Sequence, residues 1–452
     1  MIAHLALAAA LAAQDPTIPF EKYQLPNGLT VILSEDHRLP QVAVDVWYHV
    51  AAANQAPGKS GFAHLFEHML LFAGTKHLGL EPFKILESVG ASAGQMANGT
   101  TSEDRTNYFE VVPSSELATA LWVESDRMGF LLDTLDQKKL EVQRDVVSNE
   151  RRENVESRPY GTARLRTCDV FFPKPHPYYD CVIGTIAEIQ SASLDDLRAF
   201  FRQYYGPNNA SIAIVGNFDP ASAKALVAQY FGAIPRGPDV VRPDIPQPQL
   251  PGVVKETVRD QVAKIPRLQL AWVGVKMFDP DEPAGDVLAR ILGDGKASRL
   301  YQELVQKRQT AVDVNAYDNT MGLGGVFGVE ATVKEGHQTA ELAPVIEQLL
   351  EDVRQNGVTS DEVERAQRMI LAGKLRDLER LGGFGGKADV LGYYQTFTGD
   401  PGYLAKDLAR YRAVTPEAVK AFANKYLSKT HRLILDIQPA GSGQASTGAG
   451  VK

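Results

Sequence analysis

Between residues 39 and 47 apolar and polar positions alternate, in the run Leu39-Pro40-Gln41-Val42-Ala43-Val44-Asp45-Val46-Trp47. A rhythm of period two predicts a strand. It returns in Ile265-Pro266-Arg267-Leu268-Gln269-Leu270-Ala271-Trp272-Val273. Ser193-Leu194-Asp195-Asp196-Leu197-Arg198-Ala199-Phe200 has helical spacing instead. Thr415-Pro416-Glu417-Ala418-Val419-Lys420-Ala421-Phe422 matches it position for position. Ser193 and Thr415 are natural N-caps with acidic residues following in the first turn, where the helix dipole favours negative charge. Tyr204 then matches Tyr426, Ile212 matches Ile434 and Val215 matches Ile437. Each helix therefore runs into a short apolar strand, Ser211–Val215 in one case and Leu433–Ile437 in the other.

Matched elements in the same order describe one αβ unit of about 200 residues present twice. The predicted fold class is α+β, with two homologous domains over residues 18–234 and 253–440. A chain of 452 residues is too long for one ordinary core, which agrees with this division. Between the copies, residues 235–252 include Pro238, Pro243, Pro246, Pro248 and Pro251, and read as a stiff extended linker. The tail over 441–452 offers no core-forming residues at its start and is expected to be disordered.

Composition removes some functions. The net charge is −8 and no basic stripe occurs, so nucleic acid is not an expected partner. Residues 1–13 are apolar and end in small residues before Gln14-Asp15-Pro16, which reads as a secretory signal peptide, although no Lys or Arg stands at its start. That stretch is too short to span a bilayer, and no later segment approaches a transmembrane helix. The expectation is an exported, periplasmic protein. In an oxidising compartment Cys168 and Cys181 can form a disulfide over the aromatic stretch between them, with two free thiols as the equally weighted alternative.

The densest chemistry lies in Gly61-Phe62-Ala63-His64-Leu65-Phe66-Glu67-His68-Met69-Leu70-Leu71-Phe72. Histidines four apart on a helix project from one face and can hold one metal ion. Glu67 stands beside the second histidine, where a carboxylate can reach a water on that metal. Zinc held by two histidines needs a further protein ligand. The acid-rich helix over Asp136–Asn154 offers Glu141, Asp145, Glu150 and Glu153, and spacing alone does not choose among them. The second copy has no such motif, since its matching helix around Asp286–Leu292 contains no histidine.

The order His-x-x-Glu-His, together with Glu141-Val142-Gln143-Arg144-Asp145-Val146-Val147-Ser148-Asn149-Glu150-Arg151-Arg152, resembles the pitrilysin/insulinase family of zinc metallopeptidases, the inverzincins. Asn27-Gly28-Leu29, Asp104-Arg105-Thr106-Asn107-Tyr108-Phe109, Pro159-Tyr160-Gly161, His176-Pro177-Tyr178 and Ser298-Arg299-Leu300-Tyr301 extend the resemblance over nearly the whole chain. Length and duplication are similar to bacterial single-chain members near the mitochondrial processing peptidase subunits. The resemblance implies a clamshell of the two domains and one Zn²⁺ per chain. It implies His64, His68 and Glu150 as ligands, Glu67 as general base and Gln143 behind the ligands, where the family often has Glu. It also implies hydrolysis of unstructured peptides bound as an added strand near Ala97, Asn98 and Gly99. A simple Asn-Gly turn is the plainer reading of those last residues.

Two departures matter. The His68–Glu150 interval is longer than the family's, with extra residues near 93–97. Active members usually supply an Arg and a Tyr from the second domain, and the matching positions here are Val305 and Val312, with Arg308 and Tyr317 nearby but out of spacing. The expectation is a hetero-oligomer in which this chain carries zinc and a homologous partner supplies the Arg/Tyr pair. The rival is a non-proteolytic scaffold subunit of the same fold.

Overall fold

The computed structural model describes residues 16–442 except Leu80, Pro243 and Gln247. The signal-peptide expectation for residues 1–13 lies outside these, as does the tail from residue 443. Eleven strands among the described residues form two sheets. The first contains β1 (Glu21–Gln24), β2 (Thr30–Glu35), β3 (Gln41–Tyr48), β4 (Ala97–Thr101), β5 (Thr106–Pro113) and β6 (Ala210–Gly216). Its order is β1-β2-β6-β3-β5-β4. The second contains β7 (Val253–Asp260), β8 (Arg267–Val273), β9 (Ala311–Thr320), β10 (Gly325–Val333) and β11 (Arg432–Pro439), in the order β7-β11-β8-β10-β9.

Apart from β1, the two sheets have one topology. The β2–β6 and β7–β11 pairs are parallel, and the remaining pairs are antiparallel. The protein is thus α+β with two homologous halves. The matched helices are capped as their sequences predict: Ser193 accepts from Asp196 N and Thr415 from Ala418 N. Register refines the strand match. Ile212 pairs with Val46 and its counterpart Ile434 with Leu270, so Val46, not Val44, corresponds to Leu270. A two-residue slip leaves every side chain on its own face, which is why the alternation conceals it.

Each sheet has a core on one face and a borrowed helix on the other. Val42, Val44, Val46, Ile212 and Ile214 pack into the first half's core. On the opposite face, Ile32, Ala43, Ala213 and Val215 meet Leu381, Ala388 and Leu391, the last two on the second half's helix Lys387–Thr398. A Cβ on Gly392 would stand 2.5 Å from the Trp47 ring, so this helix lies on β3 at glycine distance. The exchange is reciprocal. The first half's helix Gly161–Phe171 lies on β7 and β11, with Ala163 and Phe171 against Leu433, Leu435 and Ile437.

Polar contacts join the halves further. Arg166 forms a two-pronged bond to Glu256 at 2.7 and 2.6 Å, and Asp260 accepts from Tyr160 N at 2.9 Å. Between the halves remains a cleft of about 640 Å³, whose lining includes Asn154, Arg164 and Thr167 from one side and Gln269 and Tyr317 from the other. The proline-rich connection is anchored: Arg242 donates to His49 O at 2.9 Å and to Asn209 Oδ1 at 2.8 Å. No helix among the described residues is long and apolar enough to cross a membrane.

Candidate metal centre

The helix Phe62–Phe72 begins at Gly61, whose φ of 76° lies in the left-handed region. A Cβ there would come within 2.6 Å of Ile183 O, so only glycine lets the helix start against this loop. Gln55 Oε1 accepts from Ala63 N at 2.9 Å, supplying one of the partners that a helix start lacks. Leu65, Phe66, Met69 and Leu70 are fully buried and seat the helix on the core. The remaining face carries His64, Glu67 and His68 toward β4 and the helix Gln137–Arg151.

On that second helix the carboxylate that stands against the two imidazoles is Glu150. Asp136 caps the helix by accepting from Lys139 N, and Arg151 near its end is tied to Gly184 O. Glu150 Oε2 lies 3.2 Å from His68 Nε2 and 3.6 Å from His64 Nε2. Its other oxygen accepts from Asn154 at 3.2 Å, because the chain continues from the helix into a wide π turn over Arg152–Glu156. Glu141 instead accepts from Gln137, and Asp145 faces Gln190. Among the described residues, His64, His68 and Glu150 form the one His/Cys/Asp/Glu group able to hold a metal ion, with ligand atoms within 4.8 Å of one another.

Electrostatics suit that use. Burial, reinforced by the neighbouring His68, pushes His64 down to about 4, which leaves its imidazole neutral and its lone pair available at pH 7. The hydrogen bond from His68 holds Glu150 below the usual carboxylate range. Burial raises Glu67, and the hydroxyl of Thr101, 2.5 Å from its Oε2, opposes the rise. The histidine rings stand perpendicular with centroids 4.8 Å apart, and His68 leans on Phe72 at 5.6 Å. Neither histidine Nδ1 has a hydrogen-bond partner, so packing sets the ring orientations. Gln143 is buried with Oε1 unpartnered and makes no hydrogen bond to His64, His68 or Glu150.

Ala97, Asn98 and Gly99 lie in β4, the edge strand of the first sheet, beside the helix Phe62–Phe72. This stretch is a strand, not an Asn-Gly turn: Gly99 pairs with Tyr108, and a Cβ on it would press Leu71 at 2.9 Å. Cys168 and Cys181 are joined by a disulfide with Cα atoms 5.6 Å apart, on the wall of the inter-half cleft. In the second half Val312 is exposed, Val305 rests against the core, and Arg308 binds Glu303 at 2.9 Å. Tyr317 reaches the cleft, where its hydroxyl accepts from Gln269. Thr101 and Asn154 are contacts that motif reading passes over. Asn154 leaves a weak signal, standing one turn after Glu150, whereas Thr101 leaves none.

Residues 30–167 match the family model "Insulinase (Peptidase family M16)" and residues 191–370 match "Peptidase M16 inactive domain". The zinc protease PqqE of Helicobacter pylori is 29% identical over 398 residues, covering 86% of each sequence. An uncharacterized zinc protease of Streptomyces coelicolor is 28% identical over 431 residues, covering 93% of this chain and 90% of the relative. The crystal structure of a protease from Helicobacter pylori superposes with a TM-score of 0.84 at 26% identity, covering 94% of this chain and all of the other.

Proposed function

The chain belongs to the insulinase family of peptidases, M16, and from that premise we propose that it is a zinc-dependent endopeptidase acting on extended peptides. The observation that carries this reading is the convergence of His64 Nε2, His68 Nε2 and Glu150 Oε2 beside the carboxylate of Glu67. Two imidazole nitrogens and one carboxylate oxygen form the donor set of a catalytic zinc site. A zinc ion held there supplies Lewis acidity, acidifying a water and polarising the scissile carbonyl.

The chain's own residues do the rest. Glu67 takes a proton from the attacking water as the carbon–oxygen bond forms, then returns it to the leaving amine nitrogen as the peptide bond breaks. A raised pKa suits a group that must both accept and release a proton near neutrality. The edge strand carrying Ala97, Asn98 and Gly99 receives substrate as an added strand, and such pairing favours unstructured peptides over folded domains. Gly99 is the residue whose main chain faces outward, since Ala97 N and O are already bonded to Ser92 O and Gly94 N. Asn98 Oδ1 accepts from Gly99 N at 2.9 Å, so an incoming strand that takes this donor displaces a side chain and not another strand.

Val305 and Val312 at the expected Arg and Tyr positions support a further reading. This chain is the zinc-bearing subunit of a hetero-oligomer whose homologous partner brings that pair to the substrate. The same two valines favour the scaffold alternative, which the intact His64–Glu67–His68–Glu150 set opposes. Export to the periplasm is proposed from residues 1–13. The deciding experiment purifies the chain alone and with any co-purifying homologue, measures zinc per chain, and assays quenched peptides. One zinc per chain with peptide cleavage supports the proposal. Zinc-free, inert protein in both forms sinks it and leaves the scaffold. Full activity of the isolated chain retires the hetero-oligomer only.

A further inference from the structure

We propose that Thr101 is a positioning residue for the general base, so that the strand receiving the substrate also aligns Glu67. This rests on the peptidase reading of the metal centre. Thr101 Oγ1 donates to Glu67 Oε2 at 2.5 Å. Among the described residues no other side chain hydrogen-bonds that carboxylate, which is only 6% exposed. A glutamate on a helix has three rotatable bonds, the last of them loosely two-fold, so burial alone does not select which oxygen faces a water. Holding Oε2 leaves Oε1 for proton transfer.

Thr101 is built to hold still. It is β-branched and therefore stiff about χ1. It ends β4, pairs with Thr106 on β5, and stands 3.4 Å from that residue's hydroxyl, which donates to Val50 O at 2.9 Å. The turn after it is clamped by the other half of the molecule. Asp104 accepts from Gly322 N at 2.8 Å and from the Tyr178 hydroxyl, which itself accepts from Leu323 N at 3.1 Å. The element that orients the base is thus fixed on one side by its sheet and beyond its end by the second half. Its free edge is where a substrate strand adds. Peptide binding and base alignment act on the same strand.

The test uses the full chain, in the assembled form in which it cleaves peptide, with Thr101→Val and Thr101→Ser. Valine keeps the shape and strand preference of threonine and removes only the hydroxyl. The expected result for Thr101→Val is unchanged zinc content, KM within about threefold and kcat lower by ~10–100-fold, the usual cost of losing a supporting hydrogen bond at a metal site. Thr101→Ser should recover most of the loss. Wild-type kcat in Thr101→Val, or a loss that appears entirely in KM, overturns the proposal. If the wild-type protein cleaves nothing, the peptidase reading falls and the positioning claim is decided by crystal structure. Glu67 in the same rotamer in Thr101→Val as in wild type overturns it, and a displaced carboxylate upholds it.

Discussion

At the scale of single residues, the candidate metal centre turns on which atoms are left free. Glu150 gives one oxygen to Asn154 and presents the other to two imidazoles, while Glu67 gives one oxygen to Thr101. Glu67→Gln preserves size and polarity but cannot accept the proton. It should retain one zinc per chain and lose ~10²–10⁴-fold in kcat, the range for a general base, and near-normal turnover would remove Glu67 from the role. A second residue-scale test lies in the second half, on β9. Asp318 has both carboxylate oxygens buried and unpartnered, and burial, with Asp286 and Glu282 nearby, pushes it up to about 8. The folded state therefore holds its proton from about pH 4 to pH 8 while the unfolded state releases it, so stability falls as pH rises through that window. Asp318→Asn should flatten the decline and gain ~1–3 kcal/mol at pH 8, after discounting for relaxation. Thermal melts of both proteins between pH 5 and 8 read it directly, and parallel curves would count against this account.

At the scale of elements, the helix Phe62–Phe72 was legible because its chemistry is local. Residues four apart on a helix share a face whatever surrounds them. Its starting point was less visible. Gly61 is needed because the loop at Ile183 leaves no room for a Cβ and because φ is positive. Gly61→Ala should cost at least ~1–2 kcal/mol, with zinc affinity weakened as the helix start shifts, measured by melting and by metal titration. The disulfide is an element-scale device as well, tying the helix Gly161–Phe171 to the loop at Cys181. Cys168→Ser with Cys181→Ser should lower stability by ~2–4 kcal/mol, seen as a melting shift that reduction of the wild type reproduces.

At the scale of the molecule, the halves are not independent beads. Ile32, Ala43, Ala213 and Val215 are buried by a segment that arrives from the other half, and Leu433, Leu435 and Ile437 are buried by the return of the favour. Asp45 illustrates the consequence: a polar position in an alternating strand, normally read as solvent-facing, is fully buried and accepts from Asn107 at 3.0 Å. A fragment ending before residue 253 lacks the helix Lys387–Thr398 and exposes that apolar sheet face. It should aggregate or melt far below the full chain. A soluble fragment with the melting temperature of the whole would show that the exchange is dispensable.

Strand alternation, helical spacing, N-caps and the repeat were determined by sequence alone, and so were the two histidines and the glutamate between them. Each depends on neighbours within a turn or two, where backbone geometry leaves few options. The choice of Glu150 over Glu141, Asp145 and Glu153 came from the family resemblance and not from spacing. Only the packing of two helices brings its carboxylate to the imidazoles. The hydroxyl of Thr101 on Glu67, the buried face of β3 and the exchange of helices between halves are tertiary decisions for the same reason. They join residues far apart in the chain, and no local periodicity encodes which distant surface will cover a given face.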